Sequence, residues 1–138
     1  MTDLMLAFGL GFVSGLRTFT SVAAVLLVRG GFWGIVTAIA AAAEYVADVL
    51  PKTPARTRPV GLAARCISGA FVGWTIASSH GGPAVAGAGA GAGVVGAVIG
   101  TFGGHAARIA AIARIGAYPA AIAEDLVAIG LAALIVTR

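Results

Sequence analysis

The chain has 138 residues, of which 59% are hydrophobic and 10% are charged, with a formal net charge of +4. A soluble domain carries about 25% charged residues, so this composition excludes an ordinary soluble protein and predicts one integral membrane domain, residues 1–138, that is all-α. The apolar runs lack ten-residue alternation, which argues against a β-barrel. The positive charge lies mostly between apolar runs, so no nucleic-acid partner is expected. Cys66 is alone, which excludes an internal disulfide.

The apolar runs predict a bundle of about five transmembrane helices. Their expected spans are residues 4–28, 32–50, 61–79, 84–112 and 120–136. Gly30-Gly31 interrupts the first pair of runs, three prolines exclude a helix interior between residues 51 and 59, and Pro83 suits a first helical position. The fourth span exceeds the length of one crossing, so we expect it to tilt, protrude or bend at Gly103-Gly104. Five crossings place the two chain ends on opposite faces.

Small residues recur every four positions in the segment 87–108, which reads GAGAGAGVVGAVIGTFGGHAAR. In a membrane, such spacing makes a smooth groove against which another helix packs at backbone distance. The fourth helix is therefore predicted to be the packing centre, and glycine on more than one of its faces allows a homo-oligomer. The residues assigned to this glycine zipper are Gly89, Gly93, Gly96, Gly100 and Gly104.

Positive residues are concentrated between the second and third spans, at Lys52, Arg56 and Arg58, and near Arg114 between the fourth and fifth. The positive-inside rule then puts the N-terminus in the cytoplasm and the C-terminus outside. The three cations of the first loop, set among threonines and prolines, also suit an anionic lipid headgroup or a phosphate. A plain orientation signal is the alternative, and membrane lipid is the expected partner.

The order of features in the chain suggests an inverted repeat. GLGFVSGLR followed by AAAEYVAD in the first half corresponds to VIGTFGGHAAR followed by AAIAEDLVA in the second. An unpaired third helix between the two units makes the second unit enter the membrane from the other face. Two similar units that cross the membrane in opposite directions are typical of small channels and transporters built from inverted repeats.

Ionisable groups inside the spans are the candidate site residues. Each costs about 2.5–3.5 kcal/mol at the centre of a membrane on insertion scales, so they are expected to face one another or a watery cavity. The candidates for a substrate or ion pathway are Arg17, Glu44, Asp48, His105, Arg108, Glu124 and Asp125. We expect the two arginines to pair with the carboxylates of the second and fifth spans.

Three interpretations of these charges stay open. They line a polar pathway or substrate pocket, they only hold the bundle together, or they extend to the lipid headgroups, as suits Arg65 and Arg114. His105 fits either helix packing or proton relay, and His80 fits a turn. No catalytic triad, metal-ligand spacing or phosphate loop occurs, so no enzyme activity, cofactor or metal is predicted.

Five segments resemble an uncharacterised group of small bacterial integral membrane proteins, the domain-of-unknown-function family 4126. They are SGLRTF (14–19), ADVLPKTPART (47–57), RCISGAFVG (65–73), GGHAAR (103–108) and AEDLVA (123–128). The resemblance implies a helical protein of the bacterial inner membrane, and it carries no known activity. Members of that family usually have a lysine where this chain has Val49, so any role for that cation would fall to Lys52.

Together these features predict a small channel or transporter for an ion or small solute. Its site is expected to consist of buried arginines and carboxylates between the inverted repeats. The alternative is a non-transporting scaffold or lipid-binding protein that assembles through its glycine-rich helix.

Overall fold

The computed structural model describes residues 2–49 and 58–138, which form six α-helices and no strand. The helices are α1 (Thr2–Leu16), α2 (Thr18–Arg29), α3 (Phe32–Val49), α4 (Pro59–Ser78), α5 (Pro83–Ile115) and α6 (Ala117–Val136). The prediction of an all-α chain is confirmed. The prediction of five helices is wrong, because the first expected span, residues 4–28, is divided at Arg17. In the described residues α4, α5 and α6 are each long and apolar enough to cross a membrane.

The two short helices α1 and α2 form a hairpin that folds back on itself at Arg17. Ser14, three residues before the break, is hydrogen-bonded through its hydroxyl to Ser21, four residues after it. Further from the break, Leu10 of α1 and Val25 of α2 belong to one buried apolar cluster. At 1.5 Å per residue α1 is about 22 Å long and α2 about 18 Å, so neither crosses an apolar layer of about 30 Å alone.

Contacts with α4 show that the two limbs of the hairpin run in opposite directions. In α1, the carboxylate of Asp3 lies 3.4 Å from His80, beyond the end of α4, whereas Ser14 lies 3.0 Å from Ser68 in its middle. In α2 the order is reversed, because the backbone at Thr18 is next to Ser68 and Arg29 reaches the last turn of α4. The hairpin therefore begins and ends at the same end of the bundle.

The remaining helices alternate in direction. A Cβ at Gly9 in α1 would touch Ile135 near the end of α6, so both described chain ends lie at one end of the bundle. We call this the terminal end, which holds residues 2, 29–32, 78–83 and 136–138. The opposite end holds residues 49, 59 and 115–117. The expected placement of the chain ends on opposite faces is thus wrong, because it assumed that residues 4–28 cross once.

Glycines bring α1, α4 and α5 to backbone distance. A Cβ at Gly93 would collide with the carbonyl of Gly69 in α4, and one at Gly96 would collide with the backbone of α1 at Phe8 and Phe12. The five glycines of the predicted zipper are all buried on α5. They are therefore covered from within the chain. The helix continues through Gly103-Gly104 without a break, over about 50 Å.

The expected inverted repeat is not found in the arrangement of the helices. Its two units would begin with helices that run in opposite directions, but α1 and α5 run in the same direction. Gly96 packs beside Phe12, and Gly104, two turns later, packs beside Leu16. In addition, α1 ends at the break whereas α5 is continuous. The shared Gly, Ala and Arg pattern reflects similar packing requirements and does not reflect a symmetric fold.

Candidate functional site

The break between α1 and α2 is stabilised by a carboxylate from α3. Arg17 has an extended backbone, with φ −145° and ψ 115°, so the amides of Thr18 and Phe19 lose the carbonyl partners that a continuous helix would provide. Both amides donate to Glu44, at 2.9 Å to Oε1 and 3.0 Å to Oε2. A negative group at a helix N-terminus also interacts favourably with the helix dipole. Glu44 therefore acts as the N-terminal cap of α2 across 26 residues of sequence.

Hydroxyl groups satisfy carbonyls on both sides of the break. The carbonyl of Gly15, which would otherwise accept from Phe19, accepts from Thr101 Oγ1 of α5 at 3.3 Å. The carbonyl of Thr18 accepts from Ser68 Oγ of α4 at 2.6 Å. Buried backbone groups need hydrogen-bond partners, and the hydroxyls of α4 and α5 provide them for these two carbonyls.

Two arginines and three carboxylates form an alternating chain of ion pairs beside the break. Asp48 Oδ2 is shared, because it accepts from Arg17 Nη1 at 3.0 Å and also from Arg108 Nη1. Arg17 pairs in addition with Asp125, and Arg108 Nη1 lies 3.4 Å from Glu124 Oε2. The Arg17 side chain is 1% exposed and the other four are between 10% and 20% exposed. Along the chain of ion pairs the order is therefore Glu124, Arg108, Asp48, Arg17, Asp125.

The two ends of this chain of ion pairs are consecutive carboxylates on α6. Successive helical residues point about 100° apart, so Glu124 and Asp125 face different sides of α6. Glu124 faces Arg108 of α5, whereas Asp125 faces Arg17 at the hairpin tip. The chain of ion pairs thus leaves α6 toward α5, passes through α3 and the hairpin tip, and returns to α6 at Asp125.

An aromatic hydroxyl completes the α2 side of the site. The Tyr45 ring lies 5.2 Å from the Arg17 guanidinium carbon, within the range of a cation–π contact, and its hydroxyl is 2.5 Å from Thr20 Oγ1. Arg17 Nε is buried and has no hydrogen-bond partner in the part of the chain that the structure describes. A buried donor without a hydrogen-bond partner is rare in folded proteins, and it suits a site that takes up a water or a ligand.

A cavity of about 250 Å³ adjoins the ion pairs between α5 and α6, and we call it the α5–α6 cavity. Arg108 and Glu124 line its middle. Ala111 lines it toward the opposite end of the bundle, and Val127 lines it toward the terminal end. The Arg108–Glu124 pair is therefore bordered by space on both sides along the bundle.

A second cavity, of about 360 Å³, lies between α2, α3 and α6, and we call it the α2–α6 cavity. Thr20 and Tyr45 line its inner part beside Arg17, and Val28, Val136 and Thr137 line it toward the terminal end. One end of the chain of ion pairs therefore borders the α5–α6 cavity, and Arg17 lies beside the inner part of the α2–α6 cavity.

The structure brings together six of the seven residues that the sequence assigned to a pathway. They are Arg17, Glu44, Asp48, Arg108, Glu124 and Asp125. Glu44 differs from the others, because its oxygens bind backbone amides. His105 is half-buried on α5 and takes no part in the ion pairs between described residues.

The remaining basic candidates are spread over the molecule. Arg65 is buried in α4, whereas Arg58, at the N-terminus of that helix, and Arg114 are exposed. Lys52 and Arg56, which were assigned to a lipid or phosphate, lie outside the described residues. In the described ranges, no three His, Cys, Asp or Glu side chains are placed to hold a metal ion.

Sequence reasoning missed the hydroxyl residues that surround the break. Ser14, Ser21 and Ser68 form a buried hydrogen-bonded group, and Thr20 and Thr101 bond beside it. A signal was present, because the middle of the run 4–28 holds four polar residues around Arg17. In an otherwise apolar stretch, such a cluster marks a position where the backbone needs partners.

Comparisons with protein families, curated proteins and solved structures gave no match. The resemblance to the uncharacterised bacterial family therefore stays a prediction. The function of the chain has to be inferred from the geometry of the site.

Proposed function

We propose that this chain is an integral protein of a bacterial inner membrane, with α3, α4, α5 and α6 crossing the membrane and the α1–α2 hairpin entering and leaving from one side. The opposite end carries Arg58 and Arg114, and the sequence that joins residues 49 and 58 contains Lys52 and Arg56. Arg29 and Arg138 are the basic residues of the terminal end. By the positive-inside rule the opposite end is cytoplasmic, so both chain ends face outward.

We propose further that the protein is a small transporter or channel for an ion or small solute. One observation carries this proposal: a chain of buried ion pairs adjoins two cavities, since Arg108 and Glu124 line the α5–α6 cavity and Arg17 lies beside the inner part of the α2–α6 cavity. Helices that break inside a membrane place backbone groups and charges near its middle, which is where transporters bind their substrates. The buried Arg17 Nε donor, which has no partner among the described residues, supports this assignment.

A purely structural role accounts less well for so many buried charges. A buried ion pair often contributes little to stability, since removal of two ions from water offsets their attraction. Apolar residues of similar size would hold α3 and α6 against the hairpin at lower cost. Ionisable groups inside a membrane are therefore treated as functional by default.

A scaffold that assembles through the glycine-rich helix receives less support. The glycines of the zipper already pack against α1 and α4 of the same chain. Gly87 and Gly91 remain exposed on another face of α5, where a Cβ at either position would meet nothing within 4 Å among the described residues. A partner helix at that face is the arrangement that a scaffold would require.

Flux through reconstituted vesicles tests the proposal. We expect the protein to speed release of at least one of three probes from phosphatidylcholine vesicles: potassium, chloride or octanesulfonate. Asp48→Asn removes the charge that Arg17 and Arg108 share, so we expect it to abolish flux, whereas the exposed Arg114→Gln should retain it. Size-exclusion profiles establish that both variants are folded. Release no faster than from empty vesicles for all three probes contradicts the proposal.

A further inference from the structure

The α5–α6 cavity has ionised groups at only one place. Arg108 and Glu124 are its ionisable lining residues, and residues such as Phe12, Leu16 and Val127 form the rest of its wall. A hydrated inorganic ion would lose its water in such a cavity without receiving replacement ligands, which is costly. The wall fits a ligand with an apolar body and one charged group.

Arg108 offers donors for a negative group, because its Nη1 donates to Asp48 whereas its other guanidinium nitrogens make no hydrogen bond to the described residues. A guanidinium offers five donors and binds carboxylate, sulfonate or phosphate groups in a planar, two-point contact. The contact from Arg108 Nη1 to Glu124 Oε2 is 3.4 Å, which is at the outer limit of a hydrogen bond. An acid group that enters the cavity can approach the guanidinium more closely than Glu124 does.

The size and opening of the cavity restrict the apolar body. Its volume of about 250 Å³ exceeds the roughly 150 Å³ apolar cavity that accommodates benzene, and it lies below the 300–1,000 Å³ of drug-sized pockets. One alkyl chain of about eight carbons fits this range, whereas a lipid with two chains does not. Gly103, Ala107 and Ala123 of the lining are exposed, so the cavity opens sideways between α5 and α6.

We propose that the α5–α6 cavity binds a single-chain amphipathic organic anion, with its alkyl chain between α5 and α6 and its acid group on Arg108. This inference deepens the proposed transport function and depends on it for the fate of the bound molecule. The binding itself is measurable without flux.

Equilibrium binding of octanesulfonate tests the inference. The protein is placed in phosphatidylcholine nanodiscs, and uptake by empty nanodiscs is subtracted. We expect saturable binding that Ala107→Leu weakens at least about tenfold, because the larger side chain fills the cavity. Ala110→Leu is the matched control, since Ala110 is an exposed alanine of the same helix outside the cavity lining, and it should bind like the unchanged protein.

Two further ligands test charge and shape. Octyltrimethylammonium has the same chain with a positive head, and dioctanoylphosphatidylglycerol has two chains; both should bind at least about tenfold more weakly than octanesulfonate. Arg108→Lys should retain part of the affinity, because lysine keeps the charge without the planar donor pair. Equal binding of the cation, tighter binding of the two-chain lipid, an unaffected Ala107→Leu variant, or no saturable binding overturns the inference.

The two proposals fail in distinguishable ways. Potassium or chloride flux without octanesulfonate binding contradicts the ligand assignment and leaves the transport function standing. Octanesulfonate binding without flux of any probe contradicts transport and leaves the ligand site standing.

Discussion

Two regions of this molecule are held together by different physical means. In the first, α1, α4 and α5 approach so closely at Gly69, Gly93 and Gly96 that backbone lies against backbone. In the second, α2, α3 and α6 join the first region through carboxylates, arginines and hydroxyls, with cavities between them. We call them the glycine region and the charged region.

These two means of packing let a short chain keep a polar site inside an apolar bundle. Close packing depends on van der Waals contacts that fall off steeply with distance, so the glycine region has one arrangement. Ion pairs and hydroxyl contacts can exchange partners over longer distances. The glycine region therefore fixes the positions of α1, α4 and α5, and the charged region attaches α2, α3 and α6 to it.

The largest expected effect comes from a single methyl group in the glycine region. Gly93→Ala would push a Cβ into the Gly69 carbonyl, and neither backbone can move without separating α4 from α5. We expect the free energy of unfolding to fall by about 3 kcal/mol, at the upper end of overpacking effects. Reversible denaturation in mixed micelles measures this change.

Gly91→Ala is the matched control, two residues away on the same helix. A Cβ at Gly91 would meet no described atom within 4 Å, so the change should leave stability unchanged or raise it by up to about 1 kcal/mol through helix propensity. Equal losses in the two variants would show that the close approach of α4 and α5 does not determine stability.

The sequence predicted the glycine region better than the charged region. Four-residue spacing is a local signal, so it located the buried face of α5, and the expected spans for α3 to α6 agree with the structure to within about three residues. The division at Arg17 was missed because its cause is distant in sequence. Glu44 lies 26 residues after Thr18, and hydropathy does not indicate whether an apolar run continues or turns back.

The candidate site was predicted as a set of residues without its arrangement. Burial cost alone requires Arg17, Arg108 and the carboxylates to meet, and they do. Which carboxylate pairs with which arginine depends on the directions of the helices. The hairpin makes α1 run opposite to the direction expected from a single crossing by residues 4–28. Tyr45 and the serines gave no ionic signal, so their part in the site followed only from the structure.

A smaller effect is expected where the charged region caps the hairpin. Glu44→Ala leaves the amides of Thr18 and Phe19 without acceptors, so the free energy of unfolding should fall by about 1–2 kcal/mol, as for a lost N-cap. Hydrogen exchange at residues 18–20 should become faster.

Glu44→Gln separates the two contributions of that side chain. Its amide oxygen still accepts a hydrogen bond, so it should retain part of the protection at residues 18–20 while it removes the charge. Unchanged exchange in Glu44→Ala would mean that the α2 N-terminus is stable without this contact.

The smallest effect is expected at Ser68, where the two regions meet. Its hydroxyl contacts Ser14 of α1 at 3.0 Å and donates to the Thr18 carbonyl of α2 at 2.6 Å, so it joins both limbs of the hairpin to α4. We expect Ser68→Ala to reduce the free energy of unfolding by about 1 kcal/mol, since a hydrogen bond in a folded protein contributes about that much. Ser78→Ala removes a hydroxyl whose one hydrogen bond to the described residues is within α4, to the Thr75 carbonyl, and it should change stability less. If the two variants unfold alike, the serine contacts at the hairpin tip are incidental to the joining of the regions, and the ion pairs alone maintain it.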